Sequence, residues 1–335
     1  MADWPSVRLH VVTGKGGTGK STVAAALALA LASHGKQVLL CEVEGRQGIA
    51  RMFDVDPLPY AERRIATGLT FPDGSRQSGG SVFALHIDPE SALLEYLAMY
   101  YRLGPAGRAL DRFGVIEFAT TIAPGVRDVL LTGKVYEAAR RDGRKRTGRR
   151  YDAVVLDAPP TGRIAQFLGV NQELAGLARM GPVRSQANSI MTLFRSERTA
   201  VHLVTVLEEM PVQETTDGIH QLREAGLPVG GVVVNLVRPR DLDADDLAAA
   251  RTGALEGEAL AKDLASVGME SDDALVDALL AEAHDHAERR ALEDAQRTLV
   301  DRLGVSAYEL PRLTGGIDVG ALYELAALLK TQGMA

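Results

Sequence analysis

The stretch that decides the fold is residues 14–22, which read Gly-Lys-Gly-Gly-Thr-Gly-Lys-Ser-Thr. It contains the pattern G-x-x-x-x-G-K-[ST], whose glycines let successive backbone N–H groups curl around phosphate oxygens. Residues 7–13 (Val-Arg-Leu-His-Val-Val-Thr) have the composition of a strand, and the Ala- and Leu-rich residues 21–33 are typical of a helix that ends before Gly35. This strand–loop–helix order predicts a phosphate-binding loop.

The loop predicts that the chain binds a nucleoside triphosphate. Lys20 is expected to reach the β- and γ-phosphates, and the Ser21 hydroxyl is expected to bind Mg²⁺. The helix that starts near Lys20 adds the positive end of its dipole. The predicted nucleotide contacts in this loop are Gly14, Lys15, Gly16, Gly17, Thr18, Gly19, Lys20, Ser21 and Thr22.

The composition limits the class of protein. The chain has 335 residues, of which 46% are hydrophobic and 24% charged, as is ordinary for a globular protein. A formal net charge of −7 does not favour nucleic-acid binding. The single cysteine, Cys41, cannot form an internal disulfide, and the longest apolar run, residues 23–32, is about half a membrane span. We therefore expect a cytoplasmic protein with no signal peptide and no transmembrane segment.

Apolar strands alternate with helices along the chain, which predicts a doubly wound, mostly parallel α/β sheet of the P-loop NTPase kind. We expect one domain over residues 1–335, with functional residues at the carboxyl ends of the strands. Helical insertions are predicted at about 90–140 and 170–198, with a turn-rich loop at 71–80, a helical segment at about 240–303 and a last helix at 319–330. The predicted strands after the first are 37–43, 82–87, 151–156, 199–205, 231–234 and 308–310.

Carboxylates at two strand ends are the candidates for catalysis. Asp157 follows a buried strand and is expected to hold Mg²⁺, through water, opposite Ser21. Glu44 follows the second strand and is the candidate that orients the attacking water, with Glu42 as the alternative. An ordinary solvated glutamate is the other reading of Glu44. Residues 158–168 form a stiff Pro- and Gly-containing turn that can sense the γ-phosphate.

The phosphate loop, the run Asp-Ala-Pro-Pro-Thr-Gly-Arg-Ile-Ala-Gln-Phe-Leu at 157–168 and Val-Val-Val-Asn at 232–235 together resemble the ArsA family of ATPases. Further matches are His-Ile-Asp-Pro at 86–89, Ala-Pro-Gly-Val-Arg-Asp at 123–128 and Glu-Glu-Met-Pro-Val-Gln-Glu-Thr at 208–215. That family includes the arsenite-pump ATPase and the targeting factor for tail-anchored membrane proteins. The resemblance implies a dimeric switch that uses ATP, ADP and Mg²⁺.

The resemblance also implies roles for single residues. Lys15 would reach across a dimer interface to the partner's phosphates, although a solvated loop lysine is the alternative. Glu44 falls where the family has a water-orienting aspartate, and its side chain is one methylene longer. Asn235 would bind the adenine edge, and Glu208 would face the partner's nucleotide. Pro311, with the three residues after it, would close the adenine pocket.

Departures from the family pattern leave the output of the switch open. The zinc-binding Cys-x-x-Cys pair is missing, and His284 and His286, two residues apart, do not share a helix face. With one cysteine, we expect neither zinc, an iron–sulfur cluster nor arsenite. The expected partner is a second copy or a related ATPase, and a hydrophobic or membrane-associated client could use a groove within residues 93–118. An energising subunit of an anion transporter, a partition- or septum-positioning ATPase at a membrane periphery, and a weakly active subunit of a paralogue pair remain alternatives.

Overall fold

An eight-stranded β-sheet organises the part of the chain that the structure describes. The structure is a computed structural model and describes residues 3–33, 35–43, 45, 47–69, 80–101, 124–141, 149–177 and 182–335. The strands are β1 (Leu9–Gly14), β2 (Gln37–Glu42), β3 (Arg63–Thr67), β4 (Ser81–His86), β5 (Ala153–Asp157), β6 (Thr199–Thr205), β7 (Val229–Val237) and β8 (Ala307–Pro311).

The strand order is β3-β4-β2-β5-β1-β6-β7-β8, and every neighbouring pair is parallel except β3 with β4. β1, β5 and β6 are buried along their whole length, as suits the centre of a parallel sheet covered on both faces. In the register of the central strands, Leu9 lies opposite Val154 on one side and Thr199 on the other. The predicted doubly wound, mostly parallel α/β fold of a P-loop NTPase is confirmed.

The helices connect these strands and cover both faces of the sheet. None of those within the described ranges combines the length and the hydropathy needed to cross a bilayer. The helices are α1 (Lys20–Leu31), α2 (Gly48–Met52), α3 (Pro89–Tyr101), α4 (Pro124–Arg140), α5 (Thr161–Leu177), α6 (Pro182–Phe194), α7 (Glu209–Glu224), α8 (Ala244–Thr252), α9 (Gly257–Ser266), α10 (Asp273–Asp301) and α11 (Val319–Thr331).

The two largest hydrophobic clusters of the described residues lie on opposite faces of the sheet. On one face, α1 is buried from Val23 to Leu31 and packs between the sheet and Leu322 and Leu329 of α11. A helix that is apolar on all sides belongs in such a position. On the other face, the core contains side chains of α4, α5, α6 and α7. The phosphate loop therefore leads from the central strand into a helix that is enclosed in the core.

The structure contains one strand that the sequence analysis missed. β3 begins with Arg63 and Arg64, is only partly buried, and pairs antiparallel with β4 at the edge of the sheet. Charged residues are common on edge strands, where they oppose association with another sheet, and they hide the usual apolar signal. Most of the loop predicted at 71–80 and the middle of the insertion predicted at 90–140 lie outside the described residues. The segment predicted at 170–198 contains the end of α5 and all of α6, with Ile190 and Phe194 in the core.

Candidate functional site

The phosphate loop lies at the carboxyl end of β1, in the middle of the sheet. Gly17 and Gly19 have positive φ angles of 91° and 85°, which residues with a side chain rarely adopt. Gly16 and Gly17 are exposed, and a Cβ atom built on either would meet no heavy atom within 4 Å. Lys20 begins α1 directly after Gly19. The loop backbone is therefore open to a ligand, and the positive end of a helix dipole follows it.

The inner side of the loop is fixed by its neighbours. A Cβ atom on Gly14 would overlap the carbonyl oxygen of Val204 on β6, so only glycine fits there. The Thr18 hydroxyl, which is buried, donates a hydrogen bond of 2.8 Å to the carbonyl oxygen of Lys15. The close approach to β6 and this bond across the turn hold the loop in one shape.

Ser21 and Asp157 meet beside the loop. Ser21 Oγ donates a hydrogen bond of 2.5 Å to Asp157 Oδ2, although the two residues are 136 positions apart. Asp157 is the last residue of β5 and lies opposite Val12 of β1 and Glu42 of β2. A hydroxyl and a carboxylate are the hard oxygen donors that Mg²⁺ prefers. The fold thus brings together the two residues predicted to form the magnesium environment.

Asn235 contacts the loop itself. Its Nδ2 donates a hydrogen bond of 2.9 Å to the carbonyl oxygen of Thr18. The side chain is buried, and a Cβ atom on Gly19 would overlap the same nitrogen. The structure therefore gives Asn235 a contact that the sequence analysis did not anticipate, while its contact with adenine stays a prediction.

Lys15 is paired with a carboxylate of its own chain. Its Nζ lies 2.6 Å from Glu214 Oε1, on the second turn of α7. Glu208 precedes the same helix and has an extended backbone, with φ of −128°. The start of α7 therefore lies on the Lys15 side of the phosphate loop.

Pro311 ends β8, the strand that pairs with β7, the strand of Asn235. It lies opposite Val237, and the next residue, Arg312, donates its backbone N–H to the Val237 carbonyl at 2.8 Å. Pro311 and Asn235 therefore belong to the same edge of the sheet, at the carboxyl ends of neighbouring strands.

Of the two glutamates predicted to orient water, Glu44 lies outside the described residues. Glu42, the alternative, is buried at the end of β2. Its Oε1 accepts a hydrogen bond of 2.7 Å from the backbone N–H of Gly48, and its Oε2 lies 3.6 Å from His86 Nδ1. One oxygen of Glu42 is thus engaged in holding the start of α2.

The segment after Asp157 connects the site with α4. Thr161, the first residue of α5, is buried, and its Oγ1 has no hydrogen-bond partner within the described part of the protein. Two residues later Arg163 forms an ion pair of 3.3 Å with Asp128 of α4. Burial raises the pKa of Asp128, and the charge of Arg163 counteracts that shift. Farther along α5, Asn171 donates a buried hydrogen bond of 2.8 Å to the Thr132 hydroxyl.

The comparisons with known proteins agree with this geometry. The family model described as anion-transporting ATPase, the ArsA ATPase family, matches residues 7–196. The chain belongs to the ArsA ATPase family. ATPase BagA of Mycobacterium tuberculosis is 51% identical over 335 residues, covering 99% of this chain and 96% of that protein. An arsenical pump-driving ATPase of Escherichia coli is 27% identical over 350 residues, covering 94% of this chain and 57% of that protein.

Membership of the ArsA family makes the chain an ATPase and supports nucleotide binding by the loop. The open backbone at Gly16 and Gly17 leaves room for a ligand in this ArsA-family site, and phosphate contacts there stay a prediction. Among the described residues there is no group of three or more His, Cys, Asp or Glu side chains arranged to hold a metal ion. The hydroxyl–carboxylate pair of Ser21 and Asp157 nevertheless fits Mg²⁺ that is bound partly by the phosphates of a nucleotide.

Three contacts of this ArsA-family site were missed by sequence reasoning. They are the Glu214 carboxylate on Lys15, the Asn235 amide on the loop backbone, and the Asp128 carboxylate on Arg163. All three residues stand in runs that carry the family resemblance, so the signal for their importance was available. Their contact partners could not be predicted, because each contact joins segments that are distant in the sequence.

Proposed function

We propose that the chain is an ATP-hydrolysing dimeric switch that couples ATP binding and hydrolysis to opening and closing around a client. The observation that carries this proposal is the hydrogen bond between Ser21 and Asp157 beside an open phosphate loop. The loop and the first turn of α1 bind the triphosphate, with Lys20 balancing the β- and γ-phosphate charge. Ser21, directly, and Asp157, through water, would hold Mg²⁺, which would supply positive charge opposite the phosphates.

Hydrolysis requires an oriented water and a group that accepts its hydrogen bond. We assign this role to Glu44, which follows the last residue of β2 by two positions in the sequence. The buried Glu42 two residues earlier is bound to the Gly48 amide and therefore helps to position the segment that carries Glu44. Because Glu44 is longer than the aspartate of the family, turnover by the chain alone is expected to be slow.

The dimer is the second part of the proposal. Lys15 is partly exposed on the loop, so that it can leave the chain surface and contact a phosphate in a second subunit. Glu208, at the start of α7, is placed by the proposal against the partner's nucleotide. Asn235 and Pro311 provide the adenine side of the pocket from β7 and β8. The second subunit is another copy or a related ATPase.

The conformational change on hydrolysis is proposed to pass from residues 158–168 to α4. The Arg163–Asp128 ion pair and the Asn171–Thr132 hydrogen bond join α5 to α4. A movement of α5 therefore displaces α4 as well. The sequence predicts the client groove within residues 93–118, of which residues 102–118 lie outside the described ones, and α4 begins six residues after that stretch. We further propose that this single-domain protein works in the cytoplasm, where its client is hydrophobic or membrane-associated.

Two lysine variants test the proposal. Lys20→Ala is expected to lose ATP turnover because the phosphates lose their main cation, measured as phosphate release with Mg²⁺. Lys15→Ala is expected to lose turnover while keeping nucleotide affinity, measured by titration with a fluorescent ATP analogue. The matched control is Lys262→Ala, because this lysine is exposed on α9, outside the site.

Full turnover by Lys20→Ala would end the proposed function, and normal turnover by Lys15→Ala would remove the role of Lys15 across the dimer. Sedimentation velocity with a non-hydrolysable ATP analogue measures the dimer directly. If the chain stays monomeric alone but forms a dimer with a related ATPase, the switch is a heterodimer.

A further inference from the structure

The ion pair between Lys15 and Glu214 restrains the second lysine of the loop within one chain. Lys15 Nζ and Glu214 Oε1 are 2.6 Å apart, and the two side chains are 29% and 36% exposed. The residues come from the turn after β1 and from α7, 199 positions apart. Because the ammonium group is engaged by a carboxylate, a phosphate that binds Lys15 must displace Glu214 or share the lysine with it.

We propose that Glu214 is a positioning residue that holds Lys15 against α7 and thereby sets the ATP concentration at which Lys15 becomes available to a phosphate. This inference rests on the proposed function for the identity of the phosphate. The holding of Lys15 by Glu214 is a property of the single chain and can be tested without it.

The strength of the pair suits a reversible restraint. Both side chains remain partly open to solvent, and ion pairs of this kind are weak because water screens them. A triphosphate carries more negative charge than one carboxylate and can therefore compete for the ammonium group. Once Lys15 has moved, the negative charge of Glu214 is left facing the phosphate loop without its cation, which opposes the new arrangement.

The helix that carries Glu214, α7, packs closely against residues 158–168, the segment predicted to sense the γ-phosphate. One turn after Glu214, a Cβ atom on Gly218 would overlap Thr161 Cγ2, so α7 and the start of α5 approach closely. Thr215 and Ile219, on the same helix, are buried. Glu214 is thus presented by a packed element, so that movement of the lysine is the easier way to open the pair.

The first experiment measures the holding of Lys15 directly. Trace acetylation with isotope-labelled acetic anhydride, followed by mass spectrometry of peptides, reports how accessible each lysine amine is. Glu214→Gln keeps the size of the side chain and removes the charge. We expect Lys15 to react about two- to five-fold faster in this variant, the range that fits the loss of a solvent-accessible ion pair, while Lys262 reacts as before.

The matched control is Asp217→Asn, which removes one negative charge from the same helix. Asp217 is exposed and accepts a hydrogen bond of 2.8 Å from Gln213, and it is not a partner of Lys15. In this variant the reactivity of Lys15 should stay within experimental error of the wild type. An unchanged Lys15 reactivity in Glu214→Gln, or an equal increase in both variants, would overturn the proposal.

The second experiment tests the consequence for the switch. With Mg²⁺ and a non-hydrolysable ATP analogue, Glu214→Gln should reach half-maximal dimer at an about two- to five-fold lower analogue concentration. This shift should vanish in the Lys15→Ala background, because no lysine is left to release. A higher concentration, no shift, or the same shift without Lys15 would contradict the proposed threshold. If the wild type forms no dimer, either with a second copy or with a related ATPase, the proposed function fails, while the acetylation result still decides whether Glu214 holds Lys15.

Discussion

Acid should destabilise this protein through a buried pair of histidines in the middle of the sheet. His10 on β1 and His202 on β6 are fully buried, and His10 Nδ1 lies 3.1 Å from His202 Nε2. The backbone N–H of Gly231 donates to His202 Nδ1 at 3.1 Å. His202 therefore carries its proton on Nε2 and donates a hydrogen bond to His10 Nδ1, so both rings are neutral in the folded chain.

Burial, and then the positive charge of Lys36, lowers the pKa of His10 from 6.5 to about 3. Burial and the neighbouring His10 ring lower the pKa of His202 well below its usual range. In the unfolded chain both histidines take up a proton near pH 6.5, whereas in the folded chain they stay neutral. Protons therefore bind more strongly to the unfolded state. The free energy of unfolding is not reduced by these histidines above about pH 6.5, and it falls as the pH is lowered toward 3. At pH 5 the loss from His10 is about 2 kcal/mol, and His202 adds to it in the same direction.

The assay is urea unfolding of the wild type and of His10→Asn at pH 8 and pH 5. Asparagine keeps an acceptor near the position of Nδ1 and removes one titrating ring. Between the two pH values, the free energy of unfolding should fall by about 2 kcal/mol less in His10→Asn than in the wild type. The matched control is His220→Asn, because His220 is exposed on α7. If His10→Asn loses as much stability between pH 8 and pH 5 as the wild type does, the reasoning is refuted.

Two further predictions concern packing around the phosphate loop. Asn235→Ala leaves the Thr18 carbonyl without the hydrogen bond from Asn235, which should lower the free energy of unfolding by about 1–3 kcal/mol. The same variant should bind ATP more weakly in calorimetric titration. An unchanged ATP affinity would contradict a supporting role for Asn235. Gly218→Ala forces a methyl group onto Thr161 and should cost about 1–3 kcal/mol in thermal or urea unfolding. The matched control is Gly169→Ala on α5, where a Cβ atom meets no heavy atom within 4 Å, and it should leave the free energy of unfolding unchanged or raise it. Equal losses in Gly218→Ala and Gly169→Ala would rule out the close contact between Gly218 and Thr161.

Much of the fold could be predicted because its signals are local. The boundaries expected for β6 agree with the structure, and those for β2 and α11 differ by one residue. β3 was missed because its charged residues lie at an antiparallel edge, where an apolar pattern is not required. Edge strands obtain their backbone partners from one side only, so their sequences carry less information about their position.

The candidate site could be predicted as a set of residues more readily than as a set of contacts. Ser21 and Asp157 were expected to meet, because both follow from the general order of a parallel sheet. The pairing of Lys15 with Glu214 was not expected, because no rule of spacing connects a loop residue with the second turn of a helix far along the chain. Asn235 was expected to contact a base, and the structure adds a bond to the loop backbone.

The sequence by itself determined that a glycine-rich loop follows a strand, that its backbone can receive phosphates, and that the chain has the motifs of an ATPase family. These features depend on residues that are neighbours in the chain, and local spacing controls their backbone conformation. Only the tertiary structure decided which carboxylate pairs with Lys15 and which side chain supports Thr18. Strand order and register bring these groups together, and both arise from packing of the whole sheet.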